Sequence, residues 1–160
     1  MTNYIGKFDG YTLRVFNGTS VIGSIDFNRD GTPNADIYVL KKRYHVGPTS
    51  TTDKNIRVTS ANTELFTFKF DALWGGAELE TNGQETGFEV KGKWFKPGTR
   101  LVDAQSNDLV AIKNGDVALE LDIAVSAEDI PEVMLLATVY YHVYSSRSKL
   151  LLTMFSYAEK

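Results

Sequence analysis

Apolar and polar residues alternate in short runs along most of the chain, the period-two pattern of half-buried strands. Ten such runs predict strands, at residues 11–16, 21–27, 36–45, 55–60, 64–72, 77–80, 87–94, 100–104, 109–113 and 117–124. Turn-forming pairs separate them: Asn17-Gly18, Asp30-Gly31, Gly47-Pro48, Gly75-Gly76, Asn82-Gly83, Pro97-Gly98, Asn107-Asp108 and Asn114-Gly115. Short strands at this spacing predict a sandwich or a barrel. Three of the hairpins look alike, each with a basic residue early, a polar turn, then alternating apolar residues. Either shared turn chemistry or a degenerate repeat accounts for that.

The pattern changes at Ser126-Ala127-Glu128-Asp129, a sequence that can cap a helix. From Ile130 to Tyr144 no turn residue intervenes. At 100° per residue the apolar and aromatic side chains of this segment fall on every face. A helix that is apolar all round is buried all round. The prediction is a mainly β protein: a closed antiparallel barrel around a central hydrophobic helix at about 129–146. Residues 145–160 then read as a last strand or an extension of that helix.

Composition narrows the chemistry. The chain has 160 residues, one domain by length, and no cysteine. Disulfides, Cys-ligated metals and a cysteine nucleophile are therefore excluded. Two histidines, His45 and His142, cannot make a His-rich metal centre. The net charge is −3 and the pI near 5.4, which does not favour nucleic acid. Charge is uneven: residues 1–40 carry −1, 41–100 carry +3 and 101–160 carry −5. An anionic partner would meet the middle third. The start of the chain does not read as a signal peptide. The longest apolar stretch, residues 133–144, is too short for a bilayer span of about 20 residues. The expectation is a cytoplasmic protein without a transmembrane segment, soluble or peripheral to a membrane.

Three segments carry a family resemblance. They are Tyr38-Val-Leu-Lys-Lys-Arg-Tyr; Gly87-Phe-Glu-Val-Lys-Gly-Lys-Trp-Phe followed by Gly98-Thr-Arg-Leu-Val-Asp; and Val117-Ala-Leu-Glu-Leu-Asp-Ile-Ala-Val followed by Asp129-Ile-Pro and the apolar helix. In this order and spacing, from about Tyr38 to Tyr144, the chain resembles the tubby C-terminal-like superfamily. That group includes the LURP-one-related proteins and the phospholipid scramblases. The resemblance implies a single domain over residues 1–160, a twelve-stranded antiparallel barrel threaded by a hydrophobic helix. It also implies a phosphoinositide headgroup held by surface lysines and arginines, as in tubby itself. Two features depart from the family: residues follow the helix, and the pI is acidic.

The candidate ligand residues are Lys41, Lys42, Arg43, Lys69, Lys91 and Lys93. Phosphates take several convergent ammonium or guanidinium donors. The same lysines also suit a merely solvated barrel wall. A second constellation is Asp26-Phe-Asn28-Arg-Asp30-Gly31-Thr-Pro-Asn34, with oxygen side chains at alternate positions and a glycine at the sixth. This is the opening of a calcium loop, with Asp26, Asn28, Asp30 and Asn34 as ligands. Ile37 stands where an EF-hand places its bidentate glutamate, so the segment reads first as a polar turn on Asp30-Gly31 and second as a weak calcium site.

Glu78 with Glu80, and Glu120 with Asp122, share strand faces, a pairing that serves acid–base catalysis or simple solvation. Nucleophile elbows, phosphate-binding glycine loops and H-E-x-x-H are absent. His142 lies within the apolar helix and reads as a hydrogen-bonded core residue; His45 reads as a loop residue at a strand end. Trp74, Trp94, Tyr140, Tyr141 and Tyr144 read as core or as pocket lining. The function expected is a non-enzymatic binding module that recognises an anionic membrane lipid. The alternative is a cytosolic protein-interaction or stress-response scaffold of the LURP-one-related kind.

Overall fold

The computed structural model describes residues 1–50, 52–71, 76–92 and 98–145. The alternating runs form twelve strands: β1 (Thr2–Asp9), β2 (Thr12–Asn17), β3 (Ser20–Phe27), β4 (Ala35–Val39), β5 (Lys42–Pro48), β6 (Ile56–Ser60), β7 (Thr63–Phe70), β8 (Ala77–Thr81), β9 (Gln84–Gly92), β10 (Thr99–Val102), β11 (Asp108–Asn114) and β12 (Glu120–Val125). One helix follows, α1 (Glu132–Ser145). Each strand pairs antiparallel with its sequence neighbour, and β1 pairs with β12 to close the barrel. Closure removes every free strand edge.

Alternation puts one set of side chains inside. Leu13 and Val15 of β2, Ile25 and Phe27 of β3, and Ile37 of β4 are buried, while Arg14, Asp26 and Tyr38 face outward. The helix fills the interior. Nine consecutive residues, Leu135 to Val143, are buried, which an α-helix achieves only when surrounded. Aromatic rings knit it to the wall: Tyr140 stacks on Phe27, and Tyr141 tilts against Phe68. The Tyr140 hydroxyl donates to the Pro33 carbonyl.

The antiparallel order sends alternate connections to opposite ends. One end carries the turns after β2, β4, β6 and β8, each of two residues, together with the entry to the helix. We call it the tight-turn end. The other, open end carries the turn at residues 10–11, the loops 28–34 and 115–119, the ends of β5, β7 and β9, and the C-terminus of the helix.

The barrel and its central helix agree with expectation, and four details do not. No strand is predicted before residue 11, yet β1 closes the barrel. The predicted strand at 36–45 is two strands joined by a turn at Leu40-Lys41. Gly47-Pro48 is not a turn: both residues belong to β5 and pair with Arg57 and Ile56. The helix begins at Glu132, one residue past Pro131, a residue well suited to a first turn. The apolar stretch in residues 145–160 lies outside the described residues from 146 onward.

Candidate functional site

The six basic candidates do not gather in one place. Lys41 sits in the turn after β4, and Lys42 and Arg43 open β5, all at the tight-turn end. Lys69 and Lys91 are next to last in β7 and β9, at the open end. Six residues of strand separate Lys69 from the tight-turn end of β7, about 20 Å at 3.3 Å per residue. Lys93 lies outside the described residues.

Their partners differ as well. Lys69 meets Glu80 at 3.7 Å and Lys91 meets Glu89 at 3.7 Å. Arg43 donates to Asp36 at 2.8 Å, and that hydrogen bond together with the Asp36 charge raises the Arg43 pKa. Lys41 and Lys42 are exposed and have no ion pair among the described residues. Among the described candidates they are the ones without a carboxylate partner.

Beside them stands Leu40, 93% exposed, with a backbone φ of +55°. Lys41 after it is not at positive φ, and in two-residue hairpins with only the first central residue at positive φ that position favours glycine. Gly18 holds the corresponding place in the turn after β2, at φ +62°. An L-residue in this region is strained by about 1–2 kcal/mol, and Leu40 is almost fully solvated. No burial offsets the strain. Sequence reasoning missed this turn because neither residue is a turn former.

The loop 26–36 is tied up internally. Asp26 points outward from β3 and accepts from Thr12 Oγ1 at 3.1 Å. The Asp30 carboxylate turns back on Thr32, accepting from its hydroxyl at 2.7 Å and its amide at 2.9 Å. These bonds, the hydroxyl's first, lower the Asp30 pKa. Asn34 donates to Thr32 Oγ1 at 3.3 Å, and its side chain covers Gly47. The Asn28 amide donates to the Asn34 carbonyl at 3.0 Å. Among the described residues no three His, Asp or Glu side chains converge on a point that could hold an ion.

His142 is buried and fully engaged. Its Nδ1 lies 2.8 Å from Thr99 Oγ1 and its Nε2 3.1 Å from Asn114 Oδ1. Asn114 Oδ1 can only accept, so Nε2 carries the proton and Nδ1 accepts from Thr99. Burial pushes His142 down to about 4. It is a neutral structural group. His45 lies within β5 rather than in a loop, with Nδ1 3.4 Å from Asp36.

A half-open cavity of about 500 Å³ occupies the open end, lined by Phe70, Lys54, Thr99, Tyr141 and Tyr144 among others. Burial pushes Tyr141 up to about 12, with the neighbouring Tyr144 adding to it. Tyr140 belongs to the core, and Trp74 and Trp94 lie outside the described residues. The carboxylates sit on the outer wall. Glu85 is the main cause of a raised Glu78 pKa, followed by desolvation. Among the described residues no helix is long and apolar enough to cross a membrane.

The barrel has a solved counterpart. It is similar to the X-ray structure of the Arabidopsis thaliana protein AT5G01750, with a TM-score of 0.60 and 9% identity. The match covers 89% of this chain and 91% of that one. At that identity the likeness shows the fold alone. No family model matches the chain, and no curated protein matches it.

Proposed function

We propose that this protein is a non-enzymatic binding module of tubby-like type that recognises an anionic membrane lipid at its tight-turn end. The observation that carries the reading is the pair Lys41 and Lys42, exposed at a hairpin tip with no carboxylate partner among the described residues, with Arg43 beside them. Neighbouring cations at one projecting tip suit a phosphorylated headgroup. The twelve-stranded barrel around a central helix supports the tubby-like part. Lys69 and Lys91, each next to a carboxylate at the far end, do not belong to the same site.

The test is co-sedimentation with phosphatidylcholine vesicles containing 5% phosphatidylinositol bisphosphate at low salt. Exchange of Lys41 and Lys42 together for Gln is expected to abolish binding. The same exchange at Lys69 and Lys91 is expected to leave it. No binding by the unaltered protein would sink the lipid reading and favour a protein-interaction scaffold.

A further inference from the structure

The apolar residues left on the surface are as unevenly placed as the cations. Six large hydrophobic residues are exposed among the described ones: Met1, Ile5, Val21, Tyr38, Leu40 and Val117. Five of these lie on or beside β1, β3 and β4. The register brings them together. Ile5 pairs with Phe16 of β2, and Phe16 pairs with Val21 across a bulge. Continuing the β3–β4 register from Ser24 and Tyr38 by three residues sets Val21 level with the Leu40-Lys41 turn. Ile5, Phe16, Val21 and Leu40 thus run as a row around the outer wall at the tight-turn end.

Cations stand beside this row. Lys41 and Lys42 follow Leu40 at the turn, Arg43 stands opposite Tyr38, and Lys7 lies 5.5 Å over the Phe16 ring. Arg14 stands opposite Lys7, with Asp9 at 3.4 Å. On its far side the row meets β12, where Asp122 stands opposite Ile5 and Glu120 opposite Lys7, so the cations gather toward the Leu40 side. At its Leu40 side the row joins exposed apolar residues to lysines and an arginine, which complements an anionic bilayer whose headgroups meet the cations while its acyl boundary takes the apolar side chains.

Resting on the lipid reading above, we infer that the Leu40 tip inserts into the interface of an anionic bilayer, with Val21, Phe16 and Ile5 of the outer wall laid against it. The barrel then sits with β1–β4 toward the membrane. Binding has an apolar part that salt does not screen, unlike headgroup attraction alone. It also gives Leu40 a reason to hold a glycine's backbone position.

The experiment uses vesicles of phosphatidylcholine with 30% phosphatidylserine. Leu40→Gly suits the turn's φ and leaves the fold intact, checked by its melting temperature. It is expected to weaken vesicle partitioning at least about tenfold, the effect of losing one buried leucine. Val21→Ser is expected to weaken it less. Leu40→Trp is expected to bind and to be quenched by lipids brominated near the headgroup end of the acyl chain, beyond the quenching that Trp74 and Trp94 give in the unaltered protein. If Leu40→Gly partitions like the unaltered protein while the Lys41 and Lys42 exchange abolishes binding, insertion is wrong and headgroup recognition stands. If the unaltered protein binds neither these vesicles nor phosphoinositide vesicles, both readings fall.

Discussion

Leu136 of the central helix occupies the space that a side chain on Gly23 would need. A Cβ built on Gly23 stands 2.5 Å from Leu136 Cδ1 and 2.9 Å from the Tyr38 carbonyl oxygen. The first neighbour is a side chain on a helix buried on all sides; the second is backbone of the adjacent strand. Gly23→Ala is therefore expected to destabilise the fold by about 1–3 kcal/mol, the usual range for overpacking. Combining it with Leu136→Ala should cost less than the sum of the two single changes, since one removes the atom that the other strikes. Urea unfolding of the four proteins in that cycle is the measurement. Simple additivity would mean that the strand, not the helix, yields.

His142 makes stability depend on pH in a definite direction. Its folded value is about 4 and its ordinary value 6.5. Between the two, the unfolded chain binds a proton that the folded chain refuses. Stability is whole above about pH 6.5 and falls as the pH drops toward 4. The gap corresponds to about 3 kcal/mol. Unfolding free energies from pH 7.5 to 4.5 should show this slope. His142→Gln, whose amide can both accept from Thr99 and donate to Asn114, should flatten it, whereas His45→Gln should not. An unchanged slope in His142→Gln would assign the dependence elsewhere.

Thr99→Val tests the other half of that bond. Valine has nearly the same shape but leaves His142 Nδ1 buried without a donor. A loss of about 1–3 kcal/mol is expected. The effect should shrink in a His142→Leu background, where no nitrogen is left to satisfy. Full additivity of the two changes would argue against the assigned proton positions.

The loop 26–36 separates its two readings by calcium titration. A ligand that binds only the folded state raises the melting temperature. With Asp30 held by Thr32 and Asn34 turned onto Gly47, the expected result is no rise with millimolar calcium. Asp30→Ala should lower the melting temperature in the absence of metal, because it removes two bonds from the turn. A calcium-dependent rise that this substitution abolishes would restore the loop as a metal site.

The barrel was readable largely because α1 has no polar face. Apolar residues in every helical direction, after a series of short strands, leave few arrangements other than enclosure. What stayed hidden has physical causes. β1 has only Gly6 and Phe8 fully buried, so its alternation is faint. The Leu40-Lys41 turn lacks glycine, asparagine or proline, and the left-handed backbone of Leu40 leaves no mark in residue type. That omission mattered for the site. Every missed hairpin reverses the direction assigned to the strands after it. A single strand over residues 36–45 would hold Lys41 to Arg43 within its length; the hairpin makes them a tip at the opposite end from Lys69 and Lys91. Charge counts along the chain cannot correct this, because they do not report at which end of a strand a residue lies.

The closing pair of the barrel joins Thr2 to Val125, and the helix that fills it comes later still in the chain. None of the first eleven strands has its inner face covered until residues 132–145 are in place. The hairpins are local, but the interior they enclose is not. Closing the barrel and seating the helix therefore require contacts of long sequence separation, which slow folding relative to proteins built from local contacts alone. A chain stopped after β12 would hold a full set of strand pairings around an empty lumen lined by valine, isoleucine, leucine and phenylalanine. Such a species would be sticky rather than stable, and the helix acts as the internal chaperone of its own container.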